Sequence, residues 1–206
     1  MKSAAAGFYH ALCSLTRDIV YRQGERSMGL PDGVAAAAEL IHAQTVEGRK
    51  LLFVGNGASA AISSHMATDF WKTGGMRAVA FNDSSGLTCI GNDYGYEHLF
   101  EKPVEMFADP GDVLVAISSS GRSPNILRAV QAARSRHCLV LTLSGFAADN
   151  PLSFLGDGNF HVPVESYGLV EVLHHSICHC LLDTIVATRR EEPDRPSLPR
   201  FCPTGR

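Results

Sequence analysis

Apolar positions in the first part of the chain recur at helical spacing. Phe8, Leu12, Leu15, Ile19 and Val20 predict a helix over residues 4–23. Pro31 and Asp32 open a second helix, 32–47, rich in Ala with Leu40 and Ile41 on it. These two helices either cover a sheet or form an arm that assembles subunits. From Lys50 the pattern changes to short apolar runs: LLFVG (51–55), AVAFN (78–82), VLVAIS (113–118), LVLTLS (139–144) and FHVPV (160–164). Such Val/Leu/Ile-rich runs suit parallel strands buried on both faces. Helical stretches fall between and after them, at 58–72, 96–108, 123–136, near 150–155, and finally 168–190. Alternating strands and helices predict an α/β domain with helices on both faces of a parallel sheet. Residues 191–206 hold four prolines and few apolar positions, and read as a tail that does not fold independently.

Composition narrows the classes. The 206 residues are 45% hydrophobic and 19% charged, which suits a globular fold, and the formal charge of −3 gives no basic excess for nucleic acid. No apolar run reaches the roughly 20 residues that span a bilayer, and no secretory signal is visible, so no membrane partner is expected. The six cysteines show no CxxC pair. They read as reduced, partly buried thiols of a cytoplasmic protein.

Two Gly/Ser-rich turns follow predicted strands. The first is Gly55-Asn56-Gly57-Ala58-Ser59, and the second is Ser118-Ser119-Ser120-Gly121-Arg122-Ser123-Pro124-Asn125. Small residues at the carboxyl end of a strand let a backbone approach a ligand closely. The helix that follows offers free N–H groups and a positive dipole end to an anion, and serine hydroxyls add donors. Neither turn is a dinucleotide fingerprint or a P-loop. Each is also a plausible helix cap, Ser123 followed by Pro124 in particular.

A second signal comes from histidines and carboxylates. His65 and Asp69 lie four residues apart and share one helix face. In the last helix Glu171, His175 and His179 form a stripe at i, i+4 and i+8, with His174 one position aside. Groups converging from two helices suit a divalent metal or metal-free proton transfer, and solvated polar faces are the plainer alternative. Cys178 and Cys180 flank His179 in an apolar context that favours core packing. Arg122 and Lys72 read as solvated charges or as assistants to an anion.

The motifs resemble one family. GNGASAAISSHMATDF is similar to the GNGGSAADAQHxAxEL pattern of the phosphoheptose isomerases, a branch of the SIS (sugar isomerase) family. LTCIGNDYGYEHLFEKPVE resembles their LTAIANDYGFExVFxRQVE, and PGDVLVAISSSGRSPNILRAVQAAR resembles their PGDVLxAISTSGNSxNVLxAxxAA. The resemblance implies an α/β three-layer fold on a five-stranded parallel sheet of flavodoxin-like order. It divides the chain into N-terminal helices as an oligomerisation arm (1–48), a SIS domain (49–190) and a flexible tail (191–206). It also implies a homotetramer with active sites between subunits. The implied reaction is an aldose–ketose isomerisation of sedoheptulose 7-phosphate to a heptose 7-phosphate through an enediol(ate).

Site residues carry over by position. The resemblance implies phosphate binding at Ser59, Ser118, Ser120 and Ser123. Asn56, Gly57 and Ser119 of the turns, Asn92 and Asp93 of the second motif, and Glu171 join them as substrate-binding positions. It implies zinc on His65, Asp69, Glu171 and His179, with Asp69 as catalytic base and His179 as acid. The sequence departs from the family at three points: Asp69 stands for Glu, Glu171 for Gln and Gly168 for a frequent Asp. A different sugar phosphate, or a non-catalytic SIS protein that binds sugar phosphates or acts as an adaptor, remains open on sequence alone.

Overall fold

A computed structural model of the chain describes residues 1–191. The expected tail, apart from Glu191, lies outside the described residues. The five apolar runs form five parallel strands: β3 (Leu51–Gly55), β4 (Ala78–Ala80), β5 (Val113–Ser118), β6 (Leu139–Gly145) and β7 (Gly158–Val162). β3 pairs with β4 on one side and β5 on the other, and β6 and β7 follow outward from β5. Counted among themselves, these strands have the expected flavodoxin-like order 2-1-3-4-5.

The N-terminal segment differs from expectation. The first helix, α1 (Lys2–Leu15), ends early, and Ile19 and Val20 do not continue it. Val20 instead opens β1 (Val20–Gln23), which turns back into β2 (Arg26–Gly29). The loop between them is two residues, with Gly24 at φ 59°. Glycine at the first position of a two-residue loop suits a hairpin, because positive φ there matches the twist of the strands. β1 pairs antiparallel with β7, so the sheet has seven strands. Tyr21 is fully buried under it, with its ring 4.6 Å from that of Phe160.

The strand residues divide by alternation into two cores. Leu51, Phe53, Val113, Val115, Leu141 and Phe160 face one layer, made by α2 (Leu30–Val46), α3 (Ala58–Lys72) and α7 (Tyr167–Glu191). Leu52, Val54, Leu114, Ala116 and Val140 face the other, made chiefly by α5 (Glu101–Phe107) and α6 (Pro124–Ser135). This period-two division is what strands buried on both faces require. α2 supplies Val34, Ala37, Ala38 and Ile41 to the first core and packs on α7, so it belongs to the layered body. α1 has no buried residue and touches α7.

Two local details also differ. The single helix expected at 96–108 is a 3-10 turn at Tyr96–His98 followed by α5. A helix absent from the sequence reading, α4 (Ser84–Asp93), precedes them, capped by the Asp83 carboxylate accepting from Gly86 N at 2.9 Å. α7 is long and apolar enough to cross a membrane by length and composition, contrary to expectation. Half of its most apolar window is buried in the fold, and the same helix carries Glu171, three histidines and Asp183, as a core helix with one wet face does.

Candidate active site

The order reverses at β3, whose neighbours β4 and β5 lie on opposite sides. In an open parallel sheet the crevice at such a reversal, beyond the carboxyl ends of the strands, is where ligands bind. Here the ends of β3 and β5 deliver the two Gly/Ser turns, and α3, α6 and α7 all start there. Asn56, Ser59, Ser118, Ser119, Ser120, Ser123, Tyr167 and Glu171 line one cleft of about 170 Å³. The structure thus gathers every serine implied for phosphate.

Each turn is held by backbone geometry that its residues permit. Gly57 has φ 55° at the start of α3, and Gly121 has φ 62° within the serine turn. A Cβ on Gly121 would lie 1.9 Å from Asn150 Oδ1, so this position also needs a residue without a side chain. Ser123 occupies the N-cap of α6 but makes no side-chain cap bond; its hydroxyl accepts from Ser118 Oγ at 3.4 Å. Of the two readings of Ser123, the structure leaves its hydroxyl in the cleft rather than on the helix end.

Asn125, missed by the sequence reading, ties the two turns together. Its side-chain amide pairs with that of Asn56 in both directions, at 2.8 and 2.9 Å, and Tyr96 Oη donates to Asn56 Oδ1 at 3.3 Å. The partners are far apart in sequence, so no local pattern announces the pair. Asn92 and Asp93 sit elsewhere. Both are exposed near the end of α4, where Asn92 Nδ2 donates to Asp93 Oδ1 at 2.8 Å, and neither lines the serine cleft. Arg122 is exposed opposite Asp149 at 3.7 Å, and Lys72 is exposed at the end of α3, as solvated charges are.

The histidines lie farther along the same two helices. His65 is six residues beyond Ser59, or about 9 Å along the α3 axis. His65 Nε2 is 3.2 Å from Asp69 Oδ2, which is 4.0 Å from His179 Nδ1 on α7. His175 completes the group. Its ring lies 5.1 Å from that of His65 and 4.7 Å from that of His179. One donor atom from each of the three histidines lies within 4.8 Å of the others. Burial, helped by the neighbouring His179 and His65 and opposed by Asp69, lowers the pKa of His175, which favours the neutral, ligating form. His174 points the other way. It is fully buried, with Nε2 donating to the Ser144 carbonyl at 3.1 Å, and burial lowers its pKa to about 4.

This donor set fits a divalent transition metal. Imidazoles with a carboxylate beside them are the ligand chemistry of zinc, and His175 Nε2 is buried with no hydrogen-bond partner. Of the four residues implied as zinc ligands, His65, Asp69 and His179 are brought together. Glu171 lines the serine cleft, about two turns before His179 on α7.

A family model described as SIS domain matches residues 26–145. The phosphoheptose isomerase of Helicobacter hepaticus is 38% identical over 170 residues, covering 80% of this chain and 86% of the relative. That of a Bradyrhizobium species is 41% identical over 153 residues, covering 70% and 76%. The solved structure of phosphoheptose isomerase GmhA from Neisseria gonorrhoeae superposes with a TM-score of 0.79 at 31% identity, over 90% of this chain and 98% of that one.

Proposed function

The chain belongs to the SIS-domain family, in its phosphoheptose isomerase branch, and from that premise we propose that it interconverts sedoheptulose 7-phosphate and D-glycero-D-manno-heptose 7-phosphate. One observation carries the reading. The serine cleft lies at the starts of α3 and α7, and the His/Asp group lies about two turns farther along the same helices. That layout suits a substrate with an anion at one end, several carbons of reach, and a reacting centre at the other.

The phosphate docks among Ser59, Ser118, Ser120 and Ser123, where the N-termini of α3 and α6 add backbone donors and positive dipole ends. This remote contact supplies binding energy that fixes the open-chain sugar against the His/Asp group. Asp69 removes the proton from the carbon next to the carbonyl, and His179 returns a proton to the carbonyl side, so that an enediol(ate) forms and collapses to the other isomer. The carboxylate and the ring face each other at 4.0 Å, close enough to share these proton movements. A zinc ion held by His65, Asp69 and His179 would polarise the sugar oxygens and stabilise negative charge on them. His179 has two distinct ring nitrogens, so one would be free to hold the metal while the other carries a proton.

The same reading makes the enzyme a cytoplasmic homotetramer with sites completed between subunits. Its supports are α1, which lacks any buried residue, and a set of exposed apolar side chains on α1, at the start of α7 and at the far end of α3: Phe8, Tyr9, Tyr167, Val172 and Trp71. The five described cysteines are all free, which suits a reducing compartment. The test is turnover of the purified protein on sedoheptulose 7-phosphate, with zinc supplied, followed by NMR of both isomers. Equilibration of the two sugars supports the reading; no conversion of either sugar overturns it.

A further inference from the structure

His175 has no part in the reaction as written, yet it stands in the middle of the site. It lies one turn beyond Glu171 and one turn before His179 on the same face of α7. Its donor atom lies within 4.8 Å of those of His65 and His179, and its Nε2 is enclosed with nothing to bond. Glu171 is absent from that group and lines the serine cleft beside Tyr167 instead.

We propose that His175 is a metal ligand of this chain, giving a three-imidazole site of His65, His175 and His179 with Asp69 at its edge, and leaving Glu171 in the cleft as a carboxylate that meets substrate. The inference deepens the isomerase reading and rests on its metal. Three physical points carry it. Two histidines at i and i+4 on one helix can place both rings on one ion, and His175 and His179 have that spacing. A third ring comes from α3, and three protein ligands leave the open position that a catalytic zinc keeps. Tetrahedral bonds of about 2.0–2.1 Å put donors about 3.4 Å apart, so ring rotations of about an ångström close the present spacing. Binding through Nε2 would also satisfy that enclosed atom, since a buried polar atom without a partner carries a cost of about 1–3 kcal/mol.

The experiment measures metal binding alone. Chelator-stripped wild type, H175A and E171Q are titrated with zinc against a chromophoric competitor, and with Co(II) by visible absorption. Wild type is expected to bind one ion with an intense tetrahedral-type cobalt band. H175A is expected to lose affinity at least about 100-fold and to change that band, while E171Q stays within about threefold of wild type. H175A binding as wild type, or E171Q losing as much as H175A, overturns the proposal. Thermal melts of the stripped proteins check folding. If H175A does not fold, H175Q decides by the same criterion, with at least about a tenfold loss expected. Failure here and failure of the isomerase reading are separable. A wild type that isomerises without binding any metal sinks only this proposal, whereas His175-dependent binding with no turnover sinks only the reaction.

Discussion

Replacing Gly121 by Ala tests what holds the serine turn in place. The residue has φ 62°, and an alanine there would put its Cβ 1.9 Å from Asn150 Oδ1 and 2.3 Å from Cγ. Asn150 is fully buried and cannot simply swing aside. Its Oδ1 accepts from Ser153 N at 3.1 Å, and its Nδ2 donates to the carbonyls of Ala147 and Gly145 at 2.8 and 3.3 Å. The left-handed backbone costs an alanine about 1–2 kcal/mol. Displacing Asn150 strands at least one buried polar group, for a further 1–3 kcal/mol or so. The sum is about 2–5 kcal/mol, or a fall in melting temperature of roughly 5–20 °C for a chain of this size. Urea and thermal unfolding at matched protein concentration measure it, and KM for the sugar phosphate should rise as the turn shifts. The double variant G121A/N150A removes the collision. It should therefore be more stable than the sum of the single changes by at least about 1 kcal/mol. A G121A loss below about 1 kcal/mol, or strict additivity in the double variant, would refute the packing account of this turn.

Three further outcomes are expected. S123A should change stability by less than about 0.5 kcal/mol, because its hydroxyl caps nothing, yet raise KM for a phosphorylated substrate 10-fold or more, as loss of a bond to a charged group does; a stability loss without a KM change would return Ser123 to the role of a helix cap. D112A should cost about 3 kcal/mol in urea melts. Its buried carboxylate accepts from Lys50 N, Asp109 N and the Lys50 ammonium at 2.9, 2.8 and 2.6 Å, and a loss under 1 kcal/mol or so would show these bonds to be replaced by water. His174 makes stability fall in acid: its folded pKa of about 4 lies below the unfolded value of 6.5, so the unfolded chain binds the extra proton. Stability is then lost as pH falls from about 6.5 toward 4, by roughly 2 kcal/mol between pH 6.5 and 5. H174Q should flatten that slope, leaving the smaller contributions of His161 and His175, whose values burial also lowers; an unchanged slope would place the acid sensitivity elsewhere.

The parallel strands and most helices were legible because strands buried on both faces leave uninterrupted Val/Leu/Ile runs. The hairpin of β1 and β2 was not legible. Ile19 and Val20 happen to continue the spacing of α1, while the turn at Gly24-Glu25 is a weak signal. α4 was hidden by its poor helix formers, Ser, Gly and Thr, although Asp83 was a usable capping sign. The two serine turns were legible as turns because each lies directly after a strand. The pairing of Asn56 with Asn125 needs the two strand ends side by side, which only the sheet order provides. His175 stood in the stripe at i, i+4 and i+8 from the outset, but an ungapped match to the family pattern passes from Glu171 to His179 and steps over it.

The departures at Asp69 and Glu171 take on meaning from where the two helices place them. A carboxylate shortened by one methylene would be expected to withdraw from a partner, yet Asp69 reaches both His65 and His179 from its own turn of α3. Glu171 brings a negative charge to the cleft that is to accept an anion, and like charges there oppose binding. The starts of α3 and α6, with the serine hydroxyls, are the compensating positive and donor groups at that end. An imidazole from His175 in the metal set removes any need for Glu171 to coordinate. A carboxylate held between the phosphate seat and the reacting end lies where it can accept hydrogen bonds from sugar hydroxyls. On this view the substitution of an acid for an amide at position 171 and the presence of histidine at 175 are one change rather than two.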